Sequence, residues 1–355
     1  MEQTQVREIV RRVEGAPLRD LLRVSMDEVQ VQMDSYLDPA LDALALYRRW
    51  ERQQWAVADL DLSEDARHWG RLEEDQRDAV RRTMILFFIG EQAVTDTLSP
   101  ILHAAPHEDE RIFLATQIAD EARHAVFFQR YFDEVLGIGG GLHAALERVG
   151  PEATAGFRRI FDLHLVTATE RVRTAPADRG AWVEAVVTYH LIIEGYLALT
   201  GQRNLLRFFR AAGLLPGFTT GFTAVARDES RHIGFGVLAL RRRLAEDPEQ
   251  ARVIARHVLE LAEATVHTVV NPEQRLRAPD PAQLSEALRQ SPLEARDFSI
   301  GSLAKRLRSI GLSETVVDQI QDRYRGLYDQ LWARYEEIHG VEHPVRWYQR
   351  WAEAG

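Results

Sequence analysis

Cysteine is absent from all 355 residues of the chain. Its absence excludes disulfide bonds, thiolate zinc sites, iron–sulfur clusters and cysteine nucleophiles, which leaves oxygen and nitrogen atoms as the ligands for any metal ion. Long hydrophobic runs are also missing: no stretch reaches the roughly 20 apolar residues that a membrane span needs, and the charged segment from Met1 to Val13 lacks the apolar core of a secretory signal. We therefore expect a cytoplasmic protein with no integral membrane segment.

Basic residues are in the minority, with 44 Lys and Arg against 54 Asp and Glu, and the formal net charge is -10. A surface of this sign repels polyanions, so neither nucleic acid nor anionic lipid is expected as a partner. The hydrophobic share of 45% is enough to bury a large core.

Sustained strand-like alternation is absent as well, whereas apolar residues recur at steps of three and four between glycine and proline breaks. The chain is therefore predicted to be all-α, with a helical bundle over residues 39–272. Residues 1–38 form an N-terminal extension in this prediction, and residues 273–355 form a C-terminal helical extension packed on the bundle. Helices are predicted at about 39–54, 73–104, 107–136, 151–174, 178–212, 217–245, 247–272, 281–290 and 313–339.

One short pattern occurs twice: Glu121-Ala-Arg-His124 and Glu229-Ser-Arg-His232 each place a histidine three residues after a glutamate. Residues three apart share a helix face, so each pair can direct a carboxylate oxygen and an imidazole nitrogen at one ion. A single such pair is common on solvated helices. Two pairs, with one glutamate from each of two further helices, form the ligand set of the dimetal carboxylate bundles.

Two further glutamates suit this role. Glu91 and Glu194 stand in the strongly apolar stretches Met84–Val94 and Tyr189–Leu199, so both are predicted to lie on buried helix faces. A buried carboxylate is costly unless a cation or hydrogen bonds compensate it, and either one taken alone could instead pair with an arginine.

The spacing of the four glutamates predicts two antiparallel helix hairpins. Glu91 precedes Glu121 by 30 residues, and Glu194 precedes Glu229 by 35. At a rise of ~1.5 Å per residue, such a return brings the second side chain back to the level of the first. Six side chains are therefore predicted to converge at mid-bundle as metal ligands: Glu91, Glu121, His124, Glu194, Glu229 and His232.

Hard carboxylates with one nitrogen per ion favour iron or manganese, and the absence of sulfur argues against structural zinc. Mixed oxygen and nitrogen ligation also allows dioxygen to bind and be reduced, so redox chemistry is favoured over hydrolysis. Asp228 is the candidate for accepting the N–H of His124 from the neighbouring helix. Its alternative role is an exposed acid beside Arg227 and Arg231.

At these residues the chain resembles the ferritin-like superfamily, in the branch around the ribonucleotide reductase small subunit, and within it the ligand-binding oxidases with a mixed manganese/iron centre. The resemblance covers roughly residues 55–244 and includes two signature segments, Gly90–Thr95 and Thr188–Gly201. It implies a ferritin-like bundle with a four-helix dimetal core and flanking helices, one Mn and one Fe or two Fe as cofactor, O2 as oxidant, a homodimer and a bound long-chain fatty acid. Residues that either line a tunnel for this ligand or pack the bundle are Phe87, Phe88, Ile89, Phe127, Phe128, Ile192 and Ile193.

The resemblance also implies two catalytic residues. In such oxidases a tyrosine five residues before the third glutamate ligand forms an ether crosslink to the β-carbon of a valine three residues after the first, and the matching residues here are Tyr189 and Val94. On an ideal helix at ~100° per residue, Tyr189 would lie about 140° away from Glu194. A π-bulge near residues 189–194 is therefore predicted, because it brings positions five apart onto one face. The implied activity is a two-electron C–H oxidation.

A metal-radical ribonucleotide reductase small subunit is the main alternative. Radical-bearing subunits keep a tyrosine where this chain has Phe128, but the metal-radical subunits lack that tyrosine too. Tyr348 near the C-terminus keeps this alternative open, because such subunits carry a radical-transfer tyrosine in their C-terminal tail. Trp55 with Asp228 resembles the start of the reductase electron-transfer path, but similar oxidases can retain these residues, so the pair hardly distinguishes the two functions. Iron storage, a structural metal bundle and arylamine N-oxygenation are further alternatives. The last usually needs an additional histidine ligand, for which His190 is the nearest candidate.

Overall fold

The computed structural model describes residues 2–150, 153–273, 292–340, 342–343 and 345–346. Within these ranges the chain forms helices, turns and irregular segments and no strand, which confirms the all-α prediction. The helices, numbered in chain order, are α1 Gln3–Gly15, α2 Met26–Ser35, α3 Ala43–Arg52, α4 Ser63–Trp69, α5 Glu74–Ala104, α6 Glu108–Tyr131, α7 Gly141–Val149, α8 155–174, α9 Arg179–Ala212, α10 Pro216–Glu246, α11 Gln250–Val269, α12 Pro292–Ile310 and α13 Glu314–His339.

Some of these helices contain π-helical turns. Phe132–Leu136 extends α6, Arg159–Leu165 lies within α8, and Val187–Ala198 lies within α9. The last segment contains Tyr189 and Glu194 and confirms the predicted π-bulge. At 12 residues it is longer than the single-turn bulges that are usual.

The four helices that carry the predicted ligands are α5, α6, α9 and α10. Residues 105–107 connect α5 to α6, and residues 213–215 connect α9 to α10, so each pair forms a helical hairpin. The hairpins pack on each other through α6 against α10 and α5 against α9, which closes a four-helix core.

A polar layer divides the apolar interior of this core. On α5, Met84 and Phe88 belong to one buried cluster and Val94 and Leu98 to another, with Glu91 between them. The other three helices of the core likewise contribute residues to both clusters. The carboxylates therefore lie where little water can screen their charges.

The start of α10 is held by a side chain from α4. Asp65 accepts hydrogen bonds from the backbone N–H groups of Gly217 at 2.8 Å and Phe218 at 2.7 Å, and its carboxylate also accepts from Tyr131. These N–H groups have no partner within the helix, so the carboxylate caps its first turn. The short helix α4 thereby sets where one of the ligand-bearing helices begins.

Several helices were not predicted. The N-terminal extension contains α1 and α2. Helix α2 begins at a capping box formed by Ser25 and Glu28, and this serine–glutamate spacing is visible in the sequence. With 7 and 9 residues, α4 and α7 are too short for a clear helical period. No helix was predicted over α12, and the predicted helix at 281–290 lies outside the described residues. Both α2 and α12 pack on α10, while the proposed domain boundaries at 38/39 and 272/273 stay predictions.

Within the described ranges, α9 is long and apolar enough to cross a membrane, and a bent pair of segments in α5, Met84–Val94 and Thr97–Ala104, meets the criterion jointly. In α9, 89% of the apolar 18-residue stretch that meets this criterion is buried inside the protein. Packing in the bundle core therefore accounts for the apolar character of this helix.

Candidate metal centre

The structure brings all six predicted ligands into one buried cluster, in which each residue is at most 6% exposed. Two overlapping groups can be distinguished, and in each the ligand atoms lie within 4.8 Å of one another. The first group consists of Glu91, Glu121, His124 and Glu229, and the second of Glu121, Glu194, Glu229 and His232. Glu121 and Glu229 belong to both groups, so the geometry offers two adjacent positions that share two carboxylates.

Both imidazoles direct Nδ1 into the cluster. His124 Nδ1 lies 3.3 to 3.4 Å from carboxylate oxygens of the first group, and His232 Nδ1 lies 3.1 to 3.5 Å from those of the second. The Oε2 atoms of Glu194 and Glu229 and Nδ1 of His232 are buried without a hydrogen bond. Buried polar atoms are rarely left unpaired, and oxygen and nitrogen donors without sulfur suit iron or manganese. The residues present therefore fit a pair of transition ions.

Protonation states in the metal-free cluster follow from burial and mutual charge. Burial raises the pKa of Glu91 to about 8 and raises the pKa of Glu194 well above its usual range. Burial also raises the pKa of Glu121, but the two nearby imidazoles outweigh this and bring it well below its usual value. Burial lowers the pKa of His124 and His232, but the carboxylates outweigh it and hold both pKa values high. Protons thus occupy the cluster near neutral pH and have to leave when ions bind.

The predicted partner of His124 is confirmed. Asp228 Oδ2 lies 3.3 Å from His124 Nε2 and accepts a hydrogen bond from Trp55 Nε1 at 2.8 Å, while Arg231 donates to Asp228 Oδ1 at 2.6 Å. Burial raises the pKa of Asp228, but the Arg231 guanidinium outweighs it and keeps the carboxyl ionised. A fixed anion at Nε2 orients the imidazole so that Nδ1 faces the cluster.

Asp120 does the same for the second imidazole and was not predicted. Its Oδ2 lies 3.2 Å from His232 Nε2 and accepts from Arg231 at 2.8 Å, and its Oδ1 accepts from Trp50 Nε1 at 2.9 Å. The repeated pattern Asp-Glu-x-Arg-His at 120–124 and 228–232 is the sequence signal that could have found it. Each half of the cluster therefore has a Trp–Asp–His chain, and Arg231 joins the two aspartates.

Tyr189 and Val94 both line one cavity that also reaches the glutamates of the cluster. Tyr189 Oη donates a hydrogen bond to Glu121 Oε1 at 2.8 Å. Burial raises the pKa of Tyr189, so the phenol keeps its proton. The π-helical turn thus places Tyr189 on the same side of α9 as Glu194.

The cavity has a volume of about 270 Å³. Its wall is largely apolar, and it extends along α9 from Glu194 to Asn204, about 15 Å at ~1.5 Å per residue. Val269, one of the residues that line the cavity, is 43% exposed, so the wall includes a surface residue. Of the apolar residues predicted either to line a tunnel or to pack, those in the cavity wall are Phe87 and Ile193, and those completely buried in the core are Phe88, Phe127, Phe128 and Ile192.

A few residues bear on the alternative functions, namely a ribonucleotide reductase subunit and an arylamine N-oxygenase. Phe128 is fully buried among other phenylalanines and offers no hydroxyl. His190 belongs to neither ligand group: its Nε2 lies 3.1 Å from Gln117 Oε1, and Gln117 Nε2 donates to Glu194 at 2.8 Å. Burial lowers the pKa of His190 to about 3, so the ring stays neutral. His190 therefore contacts a ligand only through Gln117, and Tyr348 lies outside the described residues.

The model of the family described as ribonucleotide reductase, small chain, matches residues 40–276. Solved structures of the R2-like ligand-binding oxidase are also similar. A valine-to-isoleucine variant with aerobically reconstituted Mn/Fe cofactor shares 26% identity at a TM-score of 0.67, covering 78% of this chain and 95% of that one. The same variant with anaerobically reconstituted Mn/Fe cofactor shares 25% identity at a TM-score of 0.65, covering 78% and 96%. Because the family match spans more than half of its length, this chain belongs to the ribonucleotide reductase small-chain family, as an oxidoreductase similar to the R2-like ligand-binding oxidases.

Proposed function

We propose that this protein is a dimetal oxidase that uses O2 for two-electron C–H oxidation. In this proposal, one Mn and one Fe, or two Fe, are held by Glu91, Glu121, His124, Glu194, Glu229 and His232. The observation that carries it is the convergence of two buried ligand groups beside an apolar cavity. The ions, when bound, supply the reduction of dioxygen and the oxidising power for the C–H bond.

The first substrate of the centre, in this proposal, is the protein itself. An ether bond forms between Tyr189 Oη and Val94 Cβ, the O–H and Cβ–H bonds break, and two electrons and two protons pass to dioxygen. Glu121 is placed to take the phenol proton, because Tyr189 Oη already donates to it at 2.8 Å. The apolar cavity wall keeps competing water away from the bond that forms.

Intact-mass measurement tests this crosslink. After aerobic reconstitution with ferrous and manganous salts, the wild-type chain is expected to lose the mass of two hydrogen atoms, whereas Tyr189→Phe should keep its full mass because it has no hydroxyl to couple. Tyr196→Phe is the matched control, since this buried tyrosine on the same helix contacts Tyr328 and should still allow the mass loss. An unchanged mass in fully metallated wild-type protein would contradict the crosslink.

We further propose that the cavity binds a long-chain fatty acid, with its carboxylate toward the ions and its chain along the apolar wall. A volume of about 270 Å³ lies near the lower limit of about 300 Å³ for small-molecule sites, and so suits one slender chain. No lysine, arginine or histidine is among the described residues that line the cavity, so the ions would supply the cation for the head group. Retention of the fatty acid should therefore depend on the metal ions.

Filling the cavity should expel this ligand. Gly90 lines the cavity, and a Cβ there would lie 3.6 Å from Phe161 Cζ, an ordinary contact, so Gly90→Ala is expected to keep the ligand. The larger side chain of Gly90→Leu has to extend into the cavity, and a cost of about 1–3 kcal/mol corresponds to a loss of roughly 5- to 150-fold in affinity. Extraction and mass spectrometry of the copurified fatty acid measure the effect. Equal amounts in Gly90→Leu and wild-type protein of equal metal content would place the ligand elsewhere.

A metal-radical ribonucleotide reductase subunit is the second candidate. The observation in its favour is the hydrogen-bonded chain from Trp55, at 8% exposure, through Asp228 to His124. Stimulation of ribonucleotide reduction by an added large subunit would support this candidate over the oxidase. Cytoplasmic location and homodimer assembly stay predictions, and light scattering that finds a dimer would also count against a storage cage.

A further inference from the structure

Arg306 lies on α12, outside the residues 40–276 that match the family model, yet its side chain reaches the π-helical turn of α9. It is only 2% exposed, and its Nη1 donates a hydrogen bond to the carbonyl oxygen of Gly195 at 3.0 Å. Gly195 directly follows Glu194 in the chain. A guanidinium of the C-terminal extension is thus bonded to the backbone next to a predicted metal ligand.

The charge of Arg306 is poorly compensated. Its Nε is buried without a partner, its Nη2 contacts Met33 Sδ at 3.0 Å, and no carboxylate of the described residues lies within 4.0 Å of it. Asp34, an acid whose charge acts on Arg306, pairs with Lys305 at 2.8 Å. Burial lowers the pKa of Arg306 to about 10, which is the signature of an unfavourable environment for the charge. A buried cation that no carboxylate neutralises is costly to keep, so its presence calls for a role beyond packing.

The carbonyl that Arg306 contacts is one that the π-helical turn leaves short of its usual partner. In an α-helix, the N–H of Leu199 would donate to the Gly195 carbonyl, but here it donates to the carbonyls of Glu194 and Tyr196 instead. A buried carbonyl needs a donor, and Arg306 provides one. The fit is close: a Cβ added at Gly195 would lie 3.4 Å from Arg306 Nε and 2.8 Å from the His190 carbonyl oxygen.

We propose that Arg306 is a positioning residue for the metal centre, which holds the π-helical turn in the register that directs Tyr189 and Glu194 to the same side of α9. The inference rests on the proposed function, because the side chains that it positions are a predicted ligand and a predicted crosslinking residue. It assigns a role to the C-terminal extension. Arg306 itself touches none of the six ligand side chains.

The test compares Arg306→Met with Arg241→Met. Arg241 is the matched control, since it also ties α12 to the bundle but donates its hydrogen bonds to the carbonyls of Ser309 and Leu37, at 2.7 Å each, rather than to α9. In metal-free full-length protein, Arg306→Met is expected to speed amide hydrogen exchange in residues 187–199 by about tenfold or more. Its affinity for Mn2+, measured by calorimetric titration, should fall about 10- to 100-fold.

Stability separates positioning from simple anchoring. Arg306→Met removes a costly buried charge but also leaves the Gly195 carbonyl without its donor, so its unfolding temperature should fall no further than that of Arg241→Met. Arg241→Met should nevertheless keep the wild-type affinity for Mn2+. Arg306→Lys, which retains the charge and a donor, should restore part of the affinity. Unchanged exchange and Mn2+ binding in Arg306→Met, or an equal loss of Mn2+ affinity in Arg241→Met, would overturn the proposal. Failure of the wild type to bind both Mn2+ and Fe2+ would refute the proposed function, while the exchange comparison would still decide the role of Arg306.

Discussion

Replacement of Glu121 by alanine is expected to abolish binding of both metal ions, whereas replacement of Glu91 should remove only one. Glu121 and Glu229 belong to both ligand groups, but Glu91 belongs to the first group alone. Loss of a residue that merely orients a ligand costs 10- to 100-fold in metal affinity, so loss of a ligand shared by two ions should cost more than about 100-fold at each. The same reasoning predicts that Glu229→Ala behaves like Glu121→Ala and that Glu194→Ala behaves like Glu91→Ala.

Metal content after reconstitution and removal of excess ions, measured by plasma mass spectrometry, checks this prediction. Glu110 is the matched control, because it is also a fully buried glutamate on α6 but pairs with Arg242 and Arg243 at 3.4 Å. Folded Glu110→Ala should retain both ions. Equal losses in Glu91→Ala and Glu121→Ala would show that the two carboxylates do not have different roles.

Removal of the ions should lower the melting temperature by at least about 10 °C. An ion that binds only the native state stabilises it by about 4 kcal/mol at 1,000 times its Kd, and two ions contribute about twice that. A change of 1 kcal/mol shifts the melting temperature of a domain of 150–250 residues by about 2–4 °C. Scanning calorimetry with saturating ions and with a chelator measures the difference. A chelator effect of the same size in Glu121→Ala would show that the ions bind elsewhere.

The affinity for the ions should rise with pH. Ions bind carboxylates and neutral imidazoles, but the raised pKa of Glu91, about 8, and the raised pKa values of Glu194, His124 and His232 leave protons on the metal-free cluster near neutral pH. Binding must release these protons, so the apparent affinity falls as pH falls and gains about tenfold or more per pH unit below these pKa values. Titration calorimetry in two buffers of different ionisation enthalpy counts the protons. Release of none would contradict the assigned protonation states.

The convergence of the six predicted ligands could be inferred from the sequence because it depends on local features. Glutamate and histidine three residues apart share a helix face in any α-helix, and an acid inside an apolar stretch is buried wherever that stretch packs. The π-helical turn was predictable for a different reason, namely that Tyr189 and Glu194 could not share a face without it. Asp120 was not predicted as the partner of His232, although an aspartate directly precedes the glutamate in both motifs. Its place next to a predicted ligand in the sequence does not say which imidazole the aspartate contacts.

The sequence by itself determined the helical class, the four ligand-bearing helices and the chemical nature of the donors, because these depend on residues within a few turns of one another. Only the tertiary structure decided other contacts between distant segments: Asp120 with His232 across 112 residues and Arg306 with Gly195 across 111. It also decided that α4 caps α10 and that an apolar cavity opens beside the glutamates. Such contacts depend on how whole helices pack, and no local period in the sequence encodes which side chains then meet.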